Sequence, residues 1–363
     1  MASTAGIVLG PVGALYGIVM RARLALYRRG ALQVHKLGAP VISVGNITTG
    51  GTGKTPLVEW LGRELWRVNR RPCVLTRGYG RIDEGAQVLV SDGERVLADA
   101  ERGGDEPCLL AEKLLGMAAV ISNADRVAAA CWALENLHSD LFILDDGFQH
   151  LRVARDLNIV TVDATNPWGG GRLLPFGRLR EPVKGLARAD CLVVTRAEQA
   201  TDIDSLREQL ASRSNNRPVF LSRVRTSGLR PLDTTSVRLN TTSVTDDKMS
   251  PATLLRASSV ASNVAAFCAL GNPQAFFTHL AGGGFTLKFK RSFPDHHVYT
   301  QQDIEAVEQA ARGCGAEALL TTAKDGVKLR ALDFRLPCYV VEIELEFDEA
   351  AAFRQLVLQA IQS

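Results

Sequence analysis

A short apolar run, Val41-Ile42-Ser43-Val44, leads almost directly into Thr48-Thr49-Gly50-Gly51-Thr52-Gly53-Lys54-Thr55, and this stretch constrains the chain more than any other. It predicts a strand, a glycine-rich phosphate loop and the start of a helix. Glycines let backbone N–H groups turn toward an anion, the lysine supplies a mobile positive charge, and the following threonine hydroxyl can ligate Mg²⁺ beside the terminal phosphates. One position departs from the usual G-x-x-x-x-G-K-[ST] pattern, where Thr48 stands in place of the first glycine. Gly50, Gly51 and Gly53 are close enough to supply the same freedom. Residues Thr48, Thr49, Gly50, Gly51, Thr52, Gly53, Lys54 and Thr55 are therefore the expected nucleoside triphosphate set.

Beyond the loop, Leu57, Trp60, Leu61, Leu65 and Val68 recur at helical spacing. Apolar runs at 72–76, 118–122, 141–144, 157–162 and 191–195 alternate with helical stretches. That alternation predicts a mostly parallel sheet with helices on both faces, whose ligands sit at the carboxyl ends of its strands. From Ser227 to Ser262 the composition turns to Ser, Thr and Asp, as in a surface insertion or linker. Strands expected at 264–268, 285–289 and 318–322, with helices at 274–280 and 303–312, make a second, smaller α/β domain. The expected boundaries are 1–40 for an apolar and basic N-terminal segment, 41–226 for the phosphate-loop core, 227–262 for the insertion and 263–363 for the smaller domain.

The charge balance, 42 basic against 39 acidic residues and a net charge of +3, argues against a global nucleic-acid surface. A local cationic patch does exist: Arg21, Arg23, Arg28, Arg29 and Lys36 all precede Glu59, the first acidic residue. Residues 5–20 before it are uncharged and mostly apolar, yet shorter than the ~20 that span a bilayer. No Lys or Arg precedes them, as a secretory signal would require. They read as an interfacial helix lying on an anionic leaflet, or else as a buried helix packed on the sheet. Seven scattered cysteines without a C-x-x-C pair fit a reducing, cytoplasmic compartment.

The run Leu141-Phe142-Ile143-Leu144-Asp145-Asp146 ends in two carboxylates, which places Asp145 or Asp146 on the Mg²⁺ of a phosphate-loop enzyme, directly or through water. Asp105, in Gly103-Gly104-Asp105-Glu106-Pro107, is either a general base or part of a helix cap. His296 and His297 precede a capping-box-like Thr300-Gln301-Gln302-Asp303 and are either solvated bystanders or agents of proton removal. Arg77, Arg81, Arg126, Arg172, Arg178 and Arg180 lie near glycines or strand ends, where guanidinium groups recognise phosphate. The segment 192–198 lacks the N-K-x-D guanine reader of GTPases, so ATP is the expected nucleotide. Thr49 stands where partition-type ATPases carry a signature lysine, which counts against a motor or switch.

Taken in order, these segments resemble the tetraacyldisaccharide 4'-kinase family. The resemblance rests on Ser43-Val44-Gly45-Asn46 with the loop, Thr76-Arg77-Gly78-Tyr79-Gly80-Arg81, Gly104-Asp105-Glu106-Pro107, Asp125-Arg126 and Asp145-Asp146-Gly147-Phe148-Gln149-His150. It continues through Leu179-Arg180-Glu181-Pro182, Gly271-Asn272-Pro273, Phe293 to His296 and Thr321-Thr322-Ala323-Lys324-Asp325. It implies transfer of the γ-phosphate of ATP to the 4'-hydroxyl of a tetraacyldisaccharide 1-phosphate, giving lipid IVA in lipid A synthesis. It implies Asp105 and His296 as the catalytic pair, with Lys54 on the β- and γ-phosphates. Thr55 with Asp145 or Asp146 would hold Mg²⁺, and Arg77, Tyr79, Arg126 and Arg180 would meet the lipid substrate. The implied place is the cytoplasmic face of the inner membrane, peripheral or N-terminally anchored, with no obligatory protein partner.

Overall fold

The computed structural model describes residues 5–232, 255 and 262–362. The chain divides into two compact units, Met1–Arg223 with Leu345–Ser363, and Val224–Glu344.

The first unit contains, in chain order, α1 (Ala5–Arg28), β1 (Val41–Gly45), α2 (Lys54–Arg67), β2 (Pro72–Thr76), β3 (Val88–Ser91), α3 (Ala100–Gly103) and α4 (Asp105–Lys113). There follow β4 (Ala119–Ser122), α5 (Arg126–Asn136), β5 (Leu141–Asp145), β6 (Leu157–Asp163), β7 (Cys191–Thr195), α6 (Ile203–Arg213) and the start of β8 (Val219–Pro231). Its strands lie in the order β3-β4-β2-β5-β1-β6-β7-β8. All neighbours pair parallel except β3 with β4. Strand alternation divides the core: Cys73, Leu75, Phe142 and Leu144 face α5 through Ala129, Ala130 and Ala133. Helix α2 lies against β1, β2 and β5. The expected mostly parallel sheet with its phosphate loop after β1 is what forms.

The second unit holds β9 (Asn263–Cys268), α7 (Pro273–Gly282), β10 (Thr286–Ser292), α8 (Gln301–Gly313), β11 (Ala318–Thr322), α9 (Ala323–Leu329) and most of β12 (Cys338–Phe347). Its strands run β10-β9-β11-β12, all parallel. On β9, Ala265 and Phe267 meet Ile304 and Val307 of α8, while Val264, Ala266 and Cys268 meet Phe277 and Leu280 of α7.

Two boundaries differ from the sequence reading. The insertion expected from residue 227 starts later, because Ser227–Pro231 extend β8 and Leu229 is fully buried against Leu255. The rest of that insertion, 233–254 and 256–261, lies outside the described residues. The chain's last helix, α10 (Ala350–Ala360), belongs with the first unit, where Phe353 stacks on Trp60 of α2.

Candidate active site

The phosphate loop leaves β1 at Gly45, where a Cβ would sit 2.5 Å from that of Phe148. Thr48 pairs in an antiparallel bridge with Leu179, and the Thr49 N–H donates to the Arg178 carbonyl at 2.6 Å. Strand-like pairing there leaves no need for a left-handed backbone, which accounts for a threonine where a glycine is usual. Positive φ is confined to Gly50 and Gly53, at 110° and 76°, among residues 48–55. Thr52 is buried, accepting from Asn46 Nδ2 at 2.7 Å and lying 3.0 Å from the Thr161 hydroxyl. Gly53 precedes α2 without a side-chain cap, so the helix turns its N-terminal N–H groups toward any bound anion.

Two motifs far apart in the chain close around this loop. Asp146 holds a left-handed backbone (φ 53°) and accepts from Arg180 at 2.6 Å, with Lys54 Nζ 3.4 Å from its other oxygen. Gln149 Nε2 donates to the Asn46 carbonyl at 2.8 Å and to Glu181 at 2.7 Å. Glu181 also pairs with Arg188, whose guanidinium lies 4.1 Å from the Phe148 ring centre. Residues 145–150 and 179–182 are therefore one network. Arg180, expected to meet substrate, engages Asp146 through its side chain and Tyr16 of α1 through its carbonyl.

The two acids differ sharply. Burial would raise Asp146, but Lys54 and Arg180 more than offset it and hold the carboxyl down at about 2. Asp145, at the buried end of β5, is pushed up to about 7 by desolvation first and then by the charges of Glu106 and Asp146. Its Oδ1 is buried without a hydrogen-bond partner. A divalent cation beside Asp145 would supply the missing partner and the missing charge, so these residues fit Mg²⁺. Among the described residues no cluster of three or more His, Cys, Asp or Glu encloses a metal. Mg²⁺ characteristically takes one or two carboxylates and fills its other positions with water and phosphate oxygens. Thr55, second residue of α2, follows Lys54 as the phosphate-loop pattern requires. Glu106 is the acid that sequence reasoning missed; it stood in a quoted motif, but no spacing rule links it to Asp145.

Asp105 is the first residue inside α4, and Gly104 takes the cap position, so Asp105 is not the cap residue itself. Gly104 turns there at φ 98°, and a Cβ on it would come within 3.2 Å of Gly78 Cα. This close approach sets the loop after β2 against the start of α4. From that loop, Arg77 donates to the Tyr79 hydroxyl at 2.8 Å, and both side chains are exposed. Arg81 is buried and donates to the carbonyls of Ser122, Glu84 and Ala86, which makes it a loop brace. Arg126 is buried beside Asp145 and Asp146; burial lowers its pKa.

In the second unit the two histidines separate. His297 stacks on Phe293 with ring centres 4.7 Å apart and contacts Asp303 at 3.2 Å, within the capping box of α8. His296 instead occupies a left-handed turn (φ 60°), its side chain 39% exposed. Lys324 Nζ lies 3.0 Å from Asp295 and 3.5 Å from His296 Nε2. Of the pair, His296 is the more exposed and His297 the one engaged in packing. The structure thus brings residues 48–55, Asp145, Asp146, Arg126 and Arg180 together in the first unit, and sets His296 with Asp295 and Lys324 in the second.

The family model described as LpxK: Tetraacyldisaccharide-1-P 4'-kinase matches residues 5–362. A tetraacyldisaccharide 4'-kinase of Geobacter sulfurreducens is 39% identical over 94% of this chain and 89% of its own length. That of Geobacter metallireducens is 40% identical over 88% of each. The crystal structure of LpxK from Aquifex aeolicus in complex with ATP superposes with a TM-score of 0.74 at 31% identity, covering 98% of both chains.

Proposed function

Because the chain belongs to the tetraacyldisaccharide-1-P 4'-kinase family, the ATP-dependent kinases of lipid A synthesis, we propose a division of labour among its residues for phosphorylating the 4'-hydroxyl of a tetraacyldisaccharide 1-phosphate. The observation that supports it is the Lys54-Asp146-Arg180 bridge, which ties the phosphate loop to the segment 179–182. Lys54 exchanges Asp146 for the β- and γ-phosphates when ATP enters, and the N-terminus of α2 receives the same charge. Mg²⁺, held by Thr55 and Asp145 with Asp146 and Glu106 nearby, supplies charge neutralisation on the transferring phosphoryl group when bound. Asp105 accepts the proton of the sugar hydroxyl, and His296 assists it. Arg77, Tyr79, Arg126 and the Arg180 guanidinium released from Asp146 meet the sugar and its 1-phosphate. Positioning and charge carry most of phosphoryl transfer, so no covalent intermediate is needed.

We assign the enzyme to the surface of the membrane that carries its substrate, on the cytoplasmic face where ATP is found. No helix among the described residues is long and apolar enough to cross a bilayer. On α1, Ile18, Val19, Ala22 and Leu26 are all exposed and fall within one arc of the helix, with Arg21, Arg28 and Arg29 around them. The decisive experiment is transfer of labelled phosphate from ATP to a tetraacyldisaccharide 1-phosphate. A labelled lipid is the expected product; ATP hydrolysis that ignores the lipid and labels nothing would overturn the assignment.

A further inference from the structure

The end of β7 grips the phosphate loop from behind at two consecutive carbonyls. The Thr195 hydroxyl donates to the Thr52 carbonyl at 3.0 Å, and Arg196 Nη2 donates to the Gly51 carbonyl at 2.8 Å. Arg196 reaches there from a left-handed backbone (φ 56°), a conformation that L residues adopt rarely. Its other nitrogen, Nη1, pairs with Asp163 Oδ2 at 2.6 Å, and both side chains are largely buried. Asp163 is itself fixed, because its Oδ1 accepts from the Thr165 N–H at 3.0 Å and hydroxyl at 2.8 Å. It also stands opposite Thr195 in the β6–β7 register. Thr195 Cγ2 would lie 3.0 Å from a Cβ on Gly53, so the loop and the strand end are in close contact.

We propose that Arg196 is a positioning residue for the nucleotide, holding the phosphate loop in its anion-gripping form through the Gly51 carbonyl without touching the phosphates. Within a peptide unit the C=O and the following N–H point in opposite directions. Drawing the Thr52 carbonyl toward Thr195 therefore turns the Gly53 N–H to the opposite side, where phosphate binds. Arg196 fixes the preceding carbonyl, whose peptide N–H, that of Thr52, is tied back to the Gly50 carbonyl at 3.0 Å, so the turn of the loop is locked, and Asp163 keeps its fork from swinging free. A guanidinium suits this place because one planar group serves a carboxylate and a carbonyl at once. The strand end that reads guanine in other phosphate-loop proteins is here committed to holding the loop.

The inference rests on ATP as the phosphate donor, so ATP affinity of the unaltered enzyme is measured first, by calorimetry. Failure of that protein to bind ATP defeats the donor assignment and not this proposal alone. Given binding, Arg196→Ala is expected to raise the ATP dissociation constant and KM about tenfold, on the scale of one lost charged hydrogen bond. Its kcat at saturating ATP and its KM for lipid stay within about twofold. Arg196→Lys, which reaches one partner but not both, falls between, and Asp163→Asn weakens ATP in the same direction. Unchanged ATP affinity in Arg196→Ala overturns the proposal, as does a fall in kcat with KM intact, which would make Arg196 a group acting on the transferring phosphate. Should Arg196→Ala melt well below the unaltered enzyme, Arg196→Lys and Asp163→Asn decide the matter by the same split between KM and kcat.

Discussion

Asp105 and His150 show how position alters what a side chain is for. Asp105 enters α4 as its first residue, where the helix N-terminus favours a negative charge. As the base proposed above, it would contribute about 10²- to 10⁴-fold to proton transfer and little to nucleotide binding. Asp105→Ala should therefore lower kcat by about that range while ATP affinity stays within a few-fold; equal losses in both would remove the base assignment. His150 closes the Asp-Asp-Gly-Phe-Gln-His motif with its Nε2 buried and unpartnered. Burial, then the charges of Arg126, Arg155 and Arg152, push its pKa down from 6.5 to about 4. Below pH 6.5 the unfolded ring takes up a proton that the folded ring refuses until about pH 4, so the unfolded state binds more protons and stability falls as pH falls. With the ring partly exposed the effect is about 2 kcal/mol across that window. Melting temperatures between pH 7 and pH 4 should drop less in His150→Gln than in the unaltered protein, and parallel curves would refute the linkage.

Elements carry the membrane argument and show what was legible in the chain. The phosphate loop, the parallel strands and the capping box at Thr300 follow from glycine, apolar and Ser/Thr spacings, because each is a local pattern. The Asp146–Arg180 and Gln149–Glu181 bonds are not local, so their motifs could be seen but not their union. The same holds for Arg81, whose sequence neighbourhood looks like a phosphate site while its guanidinium serves three backbone carbonyls, two in its own loop and one at the end of β4. On α1, alternation between buried and exposed was hidden by a segment apolar on nearly every side. Tyr16 and Gly17 turn inward, the latter so that a Cβ would meet Leu173 at 2.9 Å, whereas Ile18, Val19 and Leu26 are exposed. Replacing those three by serine removes no buried contact and should leave the melting temperature within about 2 °C. Recovery on vesicles containing anionic lipid should fall at least fivefold, and unchanged recovery would show that α1 is not the contact.

Across the whole chain, the least legible feature is the return of the C-terminus to the first unit. Nothing in the composition of residues 345–363 marks them as part of a core whose other members all precede residue 224, since an apolar position says that it is buried and not against what. The structure answers with aromatic rings: Phe353 is fully buried and stacks on Trp60 and Phe347 at 5.1 and 4.8 Å, with Phe220 at 4.9 Å. Arg354 adds an ion pair to the buried Glu64 on the same helix as Trp60. That helix, α2, begins with Lys54 and Thr55, so the last helix braces the element that follows the phosphate loop and carries Lys54. Emptying the ring cluster by Phe353→Ala should cost about 3–5 kcal/mol, or roughly 10 °C in melting temperature. The loss belongs to the packing behind α2 and not to the loop's own hydrogen bonds, so KM for ATP below the transition should change less than threefold. A variant that melts normally, or one that keeps its stability but loses ATP affinity, would show that the C-terminal helix does something other than brace α2.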